Sequence, residues 1–262
     1  MPKSQLTFDE FYQSLWLNRW DTLKSALLAP SSHFARPNLY FKDDPQSLTE
    51  FYHMDQASLY PVQALQIKPT DLVLDMCAAP GGKSLICLEQ VQEPKQLVLN
   101  EFSTPRKHRL IRVLQEYVPE AVRSQIKVTN YDGSLIGLHQ KDKYDKILVD
   151  APCSSERHVL QDPEALAAWT PNRSKNLAKR QYALLCSALL ALKSGGRIVY
   201  ATCAISHLEN DAVITKLLQK KPECQVVQQE FAVGEKTVHG WQILPDQAQN
   251  QGPMYFCILE KP

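Results

Sequence analysis

The sequence predicts an α/β protein, a doubly wound, mostly parallel, seven-stranded sheet with a helical extension at its N-terminus. Two observations carry that prediction. The runs Leu72–Leu74 and Ile147–Val149 are continuously apolar rather than alternating, as strands covered on both faces must be. Helix-patterned stretches separate successive runs, and repeated β-α-β order yields a parallel sheet with crossover helices.

The elements follow in chain order. Residues 1–28 read as one or two amphipathic helices, because Phe8, Phe11, Tyr12, Leu15 and Trp16 recur at helical spacing. The Pro- and Ser-rich APSSHFARPN and then KDDPQS read as irregular connectors to about residue 47. From Val62 the texture changes to short apolar runs, so 1–61 is taken as an extension and 62–262 as the α/β domain. Strands are predicted at Leu72–Leu74, Gln96–Asn100, Ile126–Thr129, Lys146–Val149 and Arg197–Ala201. Two more follow at Gln225–Gln229 and Met254–Leu259, as an antiparallel edge. Helices are predicted near Gly82–Val91, Ser103–Tyr117, Ser174–Leu192 and His207–Lys220. Ser103 with Pro105 supplies a helix start, and Lys193-Ser194-Gly195-Gly196 a stop.

Composition narrows the function classes. At 262 residues, 44% hydrophobic and 22% charged, the chain can bury one large core. Its longest nearly apolar stretch, Tyr182–Leu192, is too short for a membrane span, which needs roughly 18 residues. The opening MPKSQLTFDEFYQ carries Asp9 and Glu10 and no apolar run, which sets the expectation of a cytoplasmic protein without a targeting segment. Seven cysteines with no CxxC favour reduced thiols over a disulfide framework or a zinc site, and no metal is expected. Net charge is +1, but Arg173, Lys175, Lys179, Arg180, Lys193 and Arg197 lie in a stretch without acids. Arg106, Lys107, Arg109 and Arg112 form a second basic run. Either run is a solvated face or a phosphate-binding rim.

Ligands of open α/β sheets bind beyond the carboxyl ends of the strands, and those ends are chemically loaded here. After the first comes DMCAAPGGKS, where Gly81 and Gly82 allow close backbone approach at a helix start. Neither a P-loop nor GxGxxG is present. Glu101 follows Gly82 by nineteen residues, the place of a ribose-hydroxyl acceptor in nucleoside cofactor sites. Asp132 lies beyond the third strand, where it could accept from an adenine amino group. The remaining ends hold Asp150-Ala151-Pro152-Cys153 and Ala201-Thr202-Cys203, two thiols and a carboxylate at one rim. That combination favours nucleophilic chemistry over packing.

DMCAAPGGK, DAPCSS and YATC with the following Glu209-Asn210 resemble the S-adenosylmethionine-dependent RNA cytosine-5 methyltransferases of the Sun/Fmu family. DAPCSSERH and the C-terminal HGWQILPDQAQNQGPMYFCILEK are most similar to the branch with the mitochondrial rRNA and tRNA enzymes. Departures are Ser84, where Thr is common, and Ser155-Glu156, where a Ser-Gly pair is frequent. The resemblance implies a Rossmann-like class I methyltransferase domain. It implies that Cys77, Ala78, Ala79, Pro80, Gly81, Gly82 and Lys83 wrap the methionine moiety, and that Glu101 binds the ribose. Asp132 and Gly133 would meet the adenine, Arg106 would close the site, and Asp150 would lie between cofactor and base. Cys203 would be the nucleophile and Cys153 would assist product release. The implied partner is RNA, rRNA first and tRNA second, with the protein acting as a monomer and no membrane involved. A DNA cytosine-5 enzyme and a non-catalytic RNA-binding assembly factor are the alternatives. The additional Thr-Cys argues against the first, and the intact Cys203, Cys153 and Asp150 against the second.

Overall fold

The computed structural model describes residues 6–31 and 33–262. Its strands are β1 (His33–Pro37), β2 (Phe51–Asp55), β3 (Val73–Asp75), β4 (Leu97–Asn100), β5 (Lys127–Thr129) and β6 (Tyr144–Asp150). They continue with β7 (Leu192–Thr202), β8 (Gln225–Val227), β9 (Glu235–Lys236), β10 (Trp241–Ile243) and β11 (Met254–Glu260). The central sheet runs β5-β4-β3-β6-β7-β11-β10-β9. The first five are parallel, and β11 enters antiparallel against β7, with Phe256 opposite Ala201. Nine strands, not seven, make up this sheet. The difference lies at one edge, where β10 and β8 pair with successive halves of β11 and β9 adds to β10.

Continuous apolar strands arise because both faces are covered. Val73, Leu97, Leu99, Leu148 and Val199 face one way, onto Leu65, Leu85, Leu110 and Leu114. Leu74, Val98, Ile147, Ile198 and Tyr200 face the other, onto Leu184, Leu185, Leu189, Ile214 and Leu217. Helices Leu59–Leu65, Gly82–Leu88 and Thr104–Tyr117 cover the first face, and Gly133–His139, Asn172–Ala191 and Asp211–Lys220 the second. Strand β3 is flanked by β4 and β6, so successive crossovers leave in opposite directions. The crevice at the carboxyl ends of β3 and β6 is therefore the topological switch point.

The N-terminal helices are Phe8–Trp16, with a Thr7/Glu10 capping box, and Trp20–Leu28. Residues 1–5 of the helical stretch read from sequence lie outside the described residues. Phe8, Tyr12, Trp20, Leu23 and Leu27 pack with Val159, Trp169, Ile205 and Leu244 from later in the chain. Each fully buried large side chain stabilises by roughly 1.5–3 kcal/mol, enough to dock the pair firmly. The connector read as irregular contains an ordered strand, β1, paired antiparallel with β2. Its sequence His-Phe-Ala-Arg-Pro has no apolar alternation, and Arg36 ties it down by pairing with half-buried Glu89. Among the described residues no helix is long and apolar enough to cross a membrane.

Candidate active site

The loop after β3 turns at Gly81, whose φ of +124° disfavours any side chain. A Cβ there would lie 2.9 Å from Val113 Cγ1, and one on Gly82 would lie 2.7 Å from the Tyr52 ring. These glycines thus let helix Thr104–Tyr117 and the β2 residue Tyr52 close onto the helix start. Gly133 serves packing in the same way, since a Cβ would come 2.7 Å from Leu184 Cδ2. Cys77, Ala78 and Ala79 are buried, and burial pushes the Cys77 thiol well up, so it is inert. Met54, Asp75, Ala78, Pro80, Gly81, Lys83 and Asp150 line one pocket, together with Tyr52 of β2. Tyr52 was not singled out from sequence, where it lies in Phe51–Asp55, a segment with no motif.

Three buried or part-buried carboxylates flank this loop. Asp75 Oδ2 accepts from Ser84 Oγ at 2.7 Å, while Oδ1 is buried without a partner. Burial pushes its carboxyl up to about 7. Glu101, 3% exposed, uses one oxygen to accept from the Ser103 N–H at 2.9 Å. Its Oε2 has no hydrogen-bond partner and faces Arg106 at 3.7 Å. Arg106 meanwhile donates to the Ala79 carbonyl at 2.7 Å, tying the glycine loop to Glu101. Asp132 differs, because its carboxylate caps Ser134 and forms a two-point ion pair with Arg180 at 2.6 and 3.0 Å. That Arg180 bond holds its carboxyl at about 2.

The predicted rim of basic residues is divided by the fold. Arg106 and Arg180 serve Glu101 and Asp132, whereas Lys193 pairs with Asp145 at 2.8 Å and Arg197 with Glu260 at 2.7 Å. Arg197 faces Lys146 in register, at the opposite end of β6 from Asp150, so it does not reach the site. Arg109, Arg112, Arg173, Lys175 and Lys179 remain exposed.

The two thiols do come together. Cys153 Sγ lies 3.0 Å from Cys203 Sγ, and Ser155 Oγ lies 3.3 Å from Cys203 Sγ. Ser155 occupies the left-handed region at φ 53°, a conformation that a glycine adopts without strain. Donation from Cys153 and then from Ser155 holds the Cys203 thiol below its ordinary value, against burial and the charges of Asp150 and Glu156. The same sulfur contact, with burial, pushes Cys153 up. The contact thereby favours proton loss at Cys203 over Cys153. Lys83, read from sequence as part of the cofactor loop, donates to Asp150 Oδ2 at 2.9 Å. Burial works against its charge, but Asp150 more than offsets that and raises it. Cys203, Lys83, Asp150, Ser155 and Arg157 open onto a second pocket. Four of the other cysteines (Cys77, Cys87, Cys224 and Cys257) are buried as small hydrophobes.

The sheet order, with two thiols at the carboxyl-end rim, defines a Rossmann-like domain. A methyltransferase homologue of Pyrococcus horikoshii shares that fold at a TM-score of 0.75, 20% identical, covering 96% of this chain and 93% of its own. The 16S rRNA methyltransferase RsmB/F family matches residues 62–260, and the chain belongs to it. The chain is 41% identical over 231 residues to the 5-cytosine rRNA methyltransferase NSUN4 of Bos taurus, covering 81% of this chain and 60% of that one. It is 40% identical over 228 residues to the mitochondrial tRNA (cytosine(34)-C(5))-methyltransferase of Danio rerio, covering 82% and 61%. It therefore spans about 60% of the length of these relatives. The cytoplasmic placement expected from the opening residues is overturned by such relatives, which include enzymes named as mitochondrial. The acidic residues at the start of the chain carried no information about compartment.

Proposed function

We propose that the protein transfers a methyl group from S-adenosylmethionine to carbon 5 of a cytosine in RNA, through a covalent bond to Cys203. The observation that carries this reading is the sulfur pair at 3.0 Å, with Cys203 favoured as thiolate and the Lys83–Asp150 pair opening onto the same crevice. The residues present fit the cofactor. Glu101 keeps a buried oxygen with no partner, which the two ribose hydroxyls can satisfy. The loop Cys77–Lys83 holds the methionine end, Arg106 closes over it, and Asp132 with Gly133 borders the adenine. Bound there, the cofactor supplies the methyl group. The chain's own residues do the rest. Cys203 adds to carbon 6 and pushes electrons onto carbon 5, which is otherwise a poor nucleophile. Asp150 meets the Watson–Crick edge, where its carboxylate can accept from the exocyclic amino group, and the Lys83 ammonium against it offsets the charge that develops at N3. After a base removes the carbon 5 proton, the C5–C6 double bond re-forms as Cys203 leaves carbon 6 as the thiolate, and the Cys153 thiol donates a hydrogen bond to the departing sulfur. The target base must be unpaired or flipped to reach the pocket.

Ribosomal RNA is the first substrate to test, given the family's name and the 41% identity to an rRNA enzyme. Transfer RNA is the second reading, on the 40% identity to a tRNA enzyme. In this proposal residues 62–262 form the methyltransferase domain, residues 1–61 the extension docked on it, and the protein works as a monomer. Incubation with labelled S-adenosylmethionine and rRNA or tRNA should yield labelled 5-methylcytosine. Cys203→Ala should abolish transfer while leaving cofactor affinity nearly intact. A mutant that turns over at near wild-type rate refutes the nucleophile assignment.

A further inference from the structure

Two carboxylates not used by the chemistry above, Glu156 and Glu209, are fully buried beside the sulfur pair. Their hydrogen bonds cross between the two cysteine loops. Glu156 follows Cys153 but accepts from the backbone N–H of Ile205, just beyond Cys203, at 3.1 Å. Glu209 follows Cys203 but accepts from the backbone N–H of Ser154, next to Cys153, at 3.0 Å. Each loop is gripped by the other's carboxylate. Gln181 braces the arrangement, donating to Glu209 Oε2 and to the Pro152 carbonyl, each at 2.9 Å. Asn210 ties Thr202 to Ala204 on either side of Cys203, at 2.7 and 2.9 Å.

A further donor comes from outside the family-matched region. Tyr12, fully buried on helix Phe8–Trp16, donates to Glu156 Oε1 at 2.5 Å, and the family match begins only at residue 62. Ser154 donates to the same oxygen. Burying two carboxylates side by side costs solvation that apolar side chains would not lose. What this pair achieves, and apolar filler would not, is a directional lock on two backbone N–H groups that flank the sulfurs.

We propose that Glu156 and Glu209 act as a reciprocal clamp that positions Cys153 and Cys203, with Tyr12 of the N-terminal extension as its third member. The extension then completes the catalytic centre rather than merely covering the domain. This rests on the reading of the two thiols as the catalytic pair. Its consequence is local: the preference for a thiolate at Cys203 weakens when Cys153 moves out of donating distance, leaving Ser155 as the remaining donor. The groups facing Cys203 are Cys153, Ser155, Asp150, Glu156 and Lys83.

The test uses the full chain with Tyr12→Phe, which removes one oxygen, and Glu156→Gln, which cannot accept on both sides. The first measurement is the pH dependence of iodoacetamide alkylation at Cys203, read by mass spectrometry without RNA or cofactor. Tyr12→Phe, which leaves every charge in place, should move the alkylation midpoint upward, whereas in Glu156→Gln the loss of a charge that opposes the thiolate works against that shift. The second is single-turnover methyl transfer at saturating substrates. A misplacement of ~1 Å can cost ~10²-fold, so Glu156→Gln should lose at least about tenfold and Tyr12→Phe a few-fold, with cofactor affinity unchanged. Should Glu156→Gln fail to fold, Tyr12→Phe decides alone. An unchanged alkylation midpoint in folded Tyr12→Phe, whatever its melting temperature, overturns the clamp. If wild type methylates no RNA yet the midpoint still shifts, the clamp stands and the methyltransferase reading falls.

Discussion

Replacing Glu101 with alanine tests the cofactor pose most directly. The carboxylate is buried at 3% exposure, and one oxygen is committed to the Ser103 N–H at 2.9 Å. The other oxygen has no hydrogen-bond partner, so a diol is the group that would satisfy it. Hydrogen bonds to a charged acceptor contribute ~1.5–3 kcal/mol, so alanine should weaken S-adenosylmethionine binding ~10- to 100-fold. Stability of the free protein should change less, because the Arg106 side chain is 40% exposed and its charge returns to water. Glu101→Gln should fall between, since its amide accepts with one oxygen only. Titration calorimetry gives the affinities. Thermal unfolding gives a second measure, because cofactor at 100 times its Kd stabilises wild type by about 2.7 kcal/mol. A ~30-fold weaker mutant at that concentration keeps under about 1 kcal/mol, a difference of several degrees in Tm. Equal affinity in wild type and Glu101→Ala would reject the pose.

Cys153→Ala should stall the reaction after methyl transfer and accumulate a covalent protein–RNA adduct on a denaturing gel, which Cys203→Ala in the same chain should abolish. Adduct that instead requires Cys153 would reverse the two roles. RNA affinity should fall steeply with salt, and neutralising Arg173, Lys175 and Lys179 together should flatten that slope, as expected when phosphate contacts release counterions; an unchanged slope returns them to a solvated face. For Asp75, the carboxyl is raised from 3.8 to about 7, so its contribution to stability is full below about pH 4 and lost as pH rises through 7. Chemical denaturation across that window should show wild type losing stability relative to Asp75→Asn; parallel curves would contradict the raised carboxyl.

The sheet was legible because its physics is local. Both-face burial makes β3 and β6 apolar without alternation, and strand ends fall where the apolar run meets Asp75 or Asp150. Glu101 and the two cysteines were legible for the same reason, since topology alone carries strand ends to one rim. Strand β1 was not, because Phe34 is its single large apolar side chain and its order comes from pairing with β2 and from Arg36 on Glu89. The clamp was equally hidden. Glu156 and Glu209 look like solvated acids near helix starts, and only the meeting of loops about fifty residues apart buries them.

The basic runs show why a string of like charges in sequence is not one physical object. Arg180 sits one residue from Lys179, yet a carboxylate 48 positions away claims it, and its guanidinium also lies 5.4 Å from the Phe102 ring centroid beside Glu101. Lys83 is likewise taken by Asp150, and Arg106 by the Ala79 carbonyl. A cation whose charge is already answered has little left to offer a phosphate, because the new contact must break the old one. Among the described residues, Arg173, Lys175 and Lys179 form no ion pair. They begin helix Asn172–Ala191, the helix that also delivers Gln181 to the clamp and Arg180 to Asp132. One helix therefore presents free charge through Lys179 and spent charge at the very next residue, Arg180, which faces Asp132. RNA held at the first would lie along the element that fixes both the cofactor side and the thiol side of the site.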